Sequence, residues 1–165
     1  MIRLPKFTAA DQDQAYASWG CNCGPGALAA ILEITLDDAR ALLPGFDAKK
    51  YTNPTMMTDA LKQSGRWWSR RPEPTWPRYG LVRVQWEGPW TRPGVPMRAR
   101  YRYTHWVGAA HSGDEVGVFD INCIANGTGW AALDDWTGII VPHLTSGYPR
   151  ADGKWHITHA LEVGA

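Results

Sequence analysis

Cys23 stands between Asn22 and the triplet Gly24-Pro25-Gly26, just ahead of the apolar run Ala27 to Leu32. A proline in the first helical turn costs nothing, because amide hydrogens there lack carbonyl partners, and the Ala- and Leu-rich residues that follow favour helix. The spacing predicts a buried helix over 24–33 with a thiol at its N-terminus. Free amides and the positive end of the helix dipole favour the thiolate there, and the thiolate is the nucleophilic form of cysteine. Gly24 and Gly26 are expected to leave room for a substrate backbone. A thiolate nucleophile wants an imidazole as proton partner and a third group to fix that imidazole's tautomer and orientation. His105 and Asp120 can supply both. The runs 105–110 and 115–121 are β-prone and flank Ser112-Gly113-Asp114, which is hairpin chemistry. Pairing Ala110 with Glu115 would set His105 opposite Asp120. Asn122 competes with Asp120 for the orienting role, since an amide oxygen also accepts an imidazole proton.

Each of these residues has rivals. Cys21 is a second candidate nucleophile that lacks the following Gly-Pro, and Cys123 lies just past Asp120, where a structural role is expected. The three thiols with His105 would make a zinc ligand set, but structural zinc sites use paired ligands a few residues apart on both sides, and the second half of the chain has no such pair. No metal is expected. The remaining histidines, His111, His143, His156 and His159, have no comparable surroundings. No phosphate-cradling glycine motif is present, because Gly127 and Gly129 lack the spacing and the following helix.

The elements that must hold these residues divide the chain into a helical first half and a strand-rich second half. Thr35 with Asp37 and Asp38 caps a short helix over 36–43, ended by Pro44-Gly45. A third helix is expected from Pro54 or Thr55 to Gln63, stopped by Gly65. Beyond the Pro-rich stretch 71–79, the run 81–86 alternates as a half-buried strand. The hairpin follows, then one or two helical turns over 131–136, and strands over 139–142 and 155–163. The expected fold class is α+β, with N-terminal helices packed on an antiparallel sheet, in one domain over 1–165.

The order Cys23-Gly24-Pro25 at a helix start, His105-Trp106-Val107 at a strand start and Phe119-Asp120 on the next strand resembles the papain-like cysteine peptidase superfamily. The likeness is greatest to its small bacterial and phage members, such as the leader peptidases of bacteriocin exporters. It spans roughly residues 18–122 and rests on three short motifs. The resemblance implies a helix-borne nucleophile, Cys23, against a sheet bearing the base His105 and the orienting carboxylate Asp120, with no cofactor. It implies cleavage of an amide or isopeptide bond in a protein or peptide substrate. The family also places a glutamine or similar donor a few residues before the cysteine to build the oxyanion hole. Here the position six before Cys23 is Ala17, and the nearest upstream glutamine is Gln14. Three readings stay open: Gln14 reaches in through an altered loop, backbone amides near Cys23 serve with the Asn22 side chain, or the hole is degraded. One such donor is worth roughly 3 kcal/mol of barrier.

Composition bounds the rest. The chain has 165 residues, 44% apolar and 20% charged, with net charge +1, which excludes disorder, collagen and coiled coil. No apolar run approaches the roughly 18 residues of a membrane span, and the N-terminus does not read as a secretory signal. With an odd number of cysteines, this predicts reduced thiols and a cytoplasmic protein. Between Arg66 and Arg102, nine arginines face only Glu73 and Glu87. Interleaved with Trp67, Trp68, Trp76, Trp86 and Trp90, that basic stretch could contact nucleic acid. A solvated face that meets an acidic protein or peptide is the favoured reading. Deamidation and acyl transfer use the same triad, and a catalytically silent binding or inhibitor protein acting through the Arg/Trp surface is the alternative of a different class.

Overall fold

A computed structural model describes residues 2–164. Five helices come first. Helix α1 (Ala9–Trp19) opens with a capping box in which Asp11 accepts from the Thr8 amide at 2.7 Å and Thr8 Oγ1 accepts from the Asp11 amide at 3.3 Å. Helix α2 (Cys23–Leu32) follows, and every residue from Gly24 to Leu32 is buried. A helix apolar all round has to be covered on all sides. The next helices are α3 (Leu36–Ala41), capped by Thr35 Oγ1 at 3.1 Å from the Asp38 amide, and α4 (Phe46–Lys49). Then comes α5 (Pro54–Gln63), with Pro54 opening it and Asn53 accepting from the Met56 amide at 2.9 Å.

The strands β1 (Trp68–Arg70), β2 (Tyr79–Trp86), β3 (Thr104–Ser112), β4 (Glu115–Phe119), β5 (Trp130–Ala132) and β6 (Trp155–Val163) form one antiparallel sheet in the order β1-β6-β2-β3-β4-β5. A short helix α6 (Met97–Arg100) lies between β2 and β3. The fold class is therefore α+β, helices on an antiparallel sheet. One face of the sheet presents Leu81, Trp106, Phe119 and Leu161 to the helical layer, against Leu28, Ile31, Met57 and Leu61. The other presents Val82, Val84, Trp86, Val107 and Val118 to Trp136 and Val141.

That second cover corrects two expectations. Strand β2 is buried on both faces along nearly its whole length rather than half-buried. The segment 139–142 is helical, not a strand: α7 (Leu133–Asp135) runs into a π-helical turn (Trp136–Ile140) and on into α8 (Val141–Ser146). Trp136, Val141 and Thr145 are buried at helical spacing, while Ile139 is 64% exposed. Packing of that stripe onto the sheet overrides the strand preference of Ile139-Ile140-Val141. Ala131 lies in β5, so the helical turns expected over 131–136 begin only at Leu133. No helix among the described residues is long and apolar enough to cross a membrane.

Candidate active site

Cys23 is the first residue of α2 and is half-buried. Asn22, at the N-cap, makes no side-chain cap; its Nδ2 donates to the Gln12 carbonyl at 3.4 Å and ties the turn back to α1. The backbone N–H of Trp106, the residue after His105 on β3, lies near enough to favour the Cys23 thiolate. The start of a helix and the start of a strand thus meet at one sulfur.

Cys21 shares that place. The neighbouring Cys23 thiol and backbone amide favour its thiolate, and so does the charge of His105. The Cys23 thiol donor is the largest influence; together these contacts outweigh burial and bring Cys21 down to about 6. The reciprocal contact with Cys21, and then burial, push the Cys23 thiol up. The pair titrates as a unit: one proton leaves well below the ordinary thiol range and the other is held. Charge expected on Cys23 alone is thus shared with Cys21.

His105 and Asp120 meet as well, though by a different register. Strand β3 pairs with β4 through Ser112 opposite Glu115 and Gly108 opposite Phe119, two residues away from the expected pairing. The loop is Gly113-Asp114 alone, with Gly113 at φ +64°, at the position where a two-residue hairpin loop of type II′ carries glycine. A slip of two residues preserves the face of every side chain, so the partnership survives it. His105 Nε2 lies 2.8 Å from Asp120 Oδ2.

Asp120 is fully buried and accepts three further hydrogen bonds. Trp136 Nε1 donates to Oδ2 at 2.9 Å, while the Asn122 amide and Asn122 Nδ2 donate to Oδ1 at 3.0 and 2.8 Å. Burial opposes its charge, but His105 and these donors outweigh that and hold Asp120 at about 2. An ionised carboxylate only accepts, so His105 carries its proton on Nε2, and Nδ1 is the basic nitrogen. The imidazole is also stacked on Trp86, with centroids 5.8 Å apart at 24°.

The structure therefore pairs His105 with Asp120 and sets Cys21 and Cys23 within electrostatic reach of them. Asn122 does not compete with Asp120; it braces the carboxylate. Gln14 is exposed on α1, in a surface cleft with Lys6, Asp11 and Arg40, and is not brought to the thiols. Cys123 is buried, and burial pushes its thiol up to about 12. Gly24 and Gly26 do not leave room for substrate. A Cβ on Gly24 would lie 2.0 Å from Thr52 Oγ1, and one on Gly26 would lie 2.4 Å from Ile121 Cδ1. Their role is to let α2 pack closely. No cluster of three or more His, Cys, Asp or Glu among the described residues could hold a metal.

Comparison with family models, with curated proteins and with solved structures finds no match to this chain. The site stands on its own geometry. That geometry includes residues with no sequence signal for the role, chiefly Trp136 on Asp120, Trp86 under His105 and Arg83 on β2. Tyr148 also belongs here: burial raises its hydroxyl, and the nearby charges of Cys23 and Cys21 raise it further. Of the five tryptophans in the basic stretch, Trp67 alone is exposed.

Proposed function

We propose that this protein is a thiol-dependent hydrolase of amide or isopeptide bonds, with Cys23 as nucleophile, His105 as base and then acid, and Asp120 as the orienting carboxylate. The observation that carries the reading is the buried, ionised Asp120 with its four donors, one of them His105 Nε2 at 2.8 Å, beside a thiol at a helix N-terminus. Cys23 Sγ attacks the carbonyl carbon, and its proton passes to His105 Nδ1. The resulting imidazolium is stabilised by Asp120 and returns the proton to the leaving amine, giving a thioester. Water, deprotonated by His105, resolves the thioester to an acid and the free thiol. Ammonia as leaving group makes the same sequence a deamidation, and an amine in place of water makes it an acyl transfer. Cys21 and Cys23 share the resting negative charge and the one remaining proton. The substrate is a protein or peptide, and free thiols of this kind fit a reducing compartment such as the cytoplasm.

A second reading, a catalytically silent binding protein, is favoured by one observation: Gln14 lies away from the thiols, leaving no glutamine donor for the oxyanion. The test is incubation with peptide and isopeptide libraries, with products and intact protein followed by mass spectrometry. Hydrolysis with a hydroxylamine-sensitive acyl adduct on Cys23, lost in Cys23→Ala and His105→Ala, supports the enzyme. Intact substrates and an unmodified Cys23 support the binder.

A further inference from the structure

Arg83 is the one arginine of the basic stretch that lies inside the protein, 8% exposed in the middle of β2. A buried guanidinium ordinarily has a carboxylate partner, because an unpaired buried charge is costly. Among the described residues Arg83 has none. Its Nη2 donates to Thr104 Oγ1 at 3.2 Å, and its Nε, buried, has no acceptor. The ring of Tyr101 lies 5.4 Å away as a cation–π partner, and Tyr101 is 47% exposed. The titratable neighbours on β6 and β1 supply no anion. His159 on β6 is paired directly with Arg83 in the sheet, and Arg70 acts on the same histidine.

The placement of Arg83 connects it to the thiols. It is paired across the sheet with Trp106, whose backbone N–H lies near Cys23, and Thr104, to which it donates, immediately precedes His105. Burial lowers the affinity of Arg83 for its proton, and the charge of Cys23 acts in the opposite sense, so the two groups are within electrostatic reach. Elsewhere in the same stretch, Arg92, Arg98 and Arg102 are exposed and, among the described residues, have no carboxylate partner.

We infer that Arg83 is a carboxylate-binding subsite beside Cys23, and that the amide this protein attacks is flanked by a carboxylate group. The inference rests on the proposed thiol chemistry for its purpose, but the subsite itself is a matter of geometry and charge. A carboxylate accepts from two guanidinium donors at once, which neutralises Arg83. An acidic side chain and a free peptide α-carboxylate offer the same chemistry, and the experiment separates them.

Two measurements test this. The first compares alkylation of Cys23 by iodoacetate, which is anionic, with iodoacetamide, which is neutral, in wild type, Arg83→Gln and Arg83→Lys. The expected result is an iodoacetate-to-iodoacetamide rate ratio that falls about tenfold in Arg83→Gln and partly recovers in Arg83→Lys, since a charge-assisted pair has that order of strength. A ratio unchanged in folded Arg83→Gln overturns the subsite and leaves the nucleophile untouched. The second keeps Arg83 and needs no reaction: the Arg83 Nε–H NMR resonance is followed in Cys23→Ala during titration with three peptides. These are N-acetyl-glutamyl-glycinamide, N-acetyl-glutaminyl-glycine and the neutral N-acetyl-glutaminyl-glycinamide. A saturable shift with either acidic peptide and none with the neutral one supports the subsite and names the source of the carboxylate. No difference among the three overturns it, whatever the thiols do.

Discussion

Asp120 is sealed from bulk solvent, and four donors within the protein balance its charge. Asp120→Asn leaves the fold a neutral amide and gives His105 no anion to hold the Nε2–H tautomer. A loss of about 10⁴ in turnover is the expected outcome, read as kcat on any substrate the libraries yield. The same residue sets an acid limb. Its carboxyl is held at about 2 against an ordinary 3.8, so it contributes about 2 kcal/mol of stability above pH 4 that is lost as pH falls toward 2. Urea midpoints measured across pH 2–4 should slope steeply in wild type and flatten in Asp120→Asn. Gly24 tests the packing of α2. Gly24→Ala drives a Cβ against Thr52 and is expected to cost about 1–3 kcal/mol, with part of the loss recovered in Gly24→Ala/Thr52→Ala. The residue types that could do this chemistry were legible in the sequence, because a cysteine before Gly-Pro, a histidine opening a β-prone run and an aspartate closing the next are local patterns. Trp136 on Asp120, Cys21 on Cys23 and Thr52 on Gly24 were not legible. They depend on contacts that only the folded chain defines.

The elements of the first half were readable because their ends carry their own chemistry: Thr35 and Asn53 as caps, and Pro54 at an opening turn. Helix α1 was readable too, through Thr8 and Asp11 as a capping box, and was missed because no apolar stripe follows them. The hairpin was found in the right place with its register displaced by two, since the loop length depends on Gly113 taking a positive φ. The π-helical segment defeated a propensity reading, because Ile139-Ile140-Val141 looks like a strand until Trp136 anchors it to the sheet. Strand β6 carries a prediction of its own. Burial, then Arg70 and Arg83, lower His159 from 6.5 to about 4. The unfolded chain takes up that proton near pH 6.5 and the folded one resists until about 4, so stability is full above pH 6.5 and declines between the two. The decline should total about 2–3 kcal/mol, read from urea midpoints between pH 7 and 4, and should shrink by most of that in His159→Gln if the variant folds.

Across the whole molecule, the near-zero net charge conceals a division between a basic stretch and an acidic remainder. Of the nine arginines between 66 and 102, only Arg66 and Arg71 have carboxylate partners among the described residues, Glu33 and Glu162. A face of this kind attracts anionic polypeptides, and its attraction is screened over about 8 Å at physiological salt. Acidic peptides are expected to bind several-fold more weakly on raising salt from about 50 to 500 mM, measured by fluorescence anisotropy, with neutral peptides indifferent. The sheet then appears as the part that connects charge to chemistry: β3 carries His105, its neighbour β2 carries Arg83, and α2 delivers Cys23 to the same edge of the structure. The central claim is that this delivery activates a thiol. Its most direct test is the rate of iodoacetamide alkylation at Cys21 and Cys23 against pH, site-resolved by mass spectrometry, in wild type, Cys21→Ala and His105→Ala. The account predicts wild-type labelling at about pH 6–7 that moves to higher pH in Cys21→Ala and slows in His105→Ala. Labelling that rises only near pH 8.5–9 and ignores His105→Ala would contradict it.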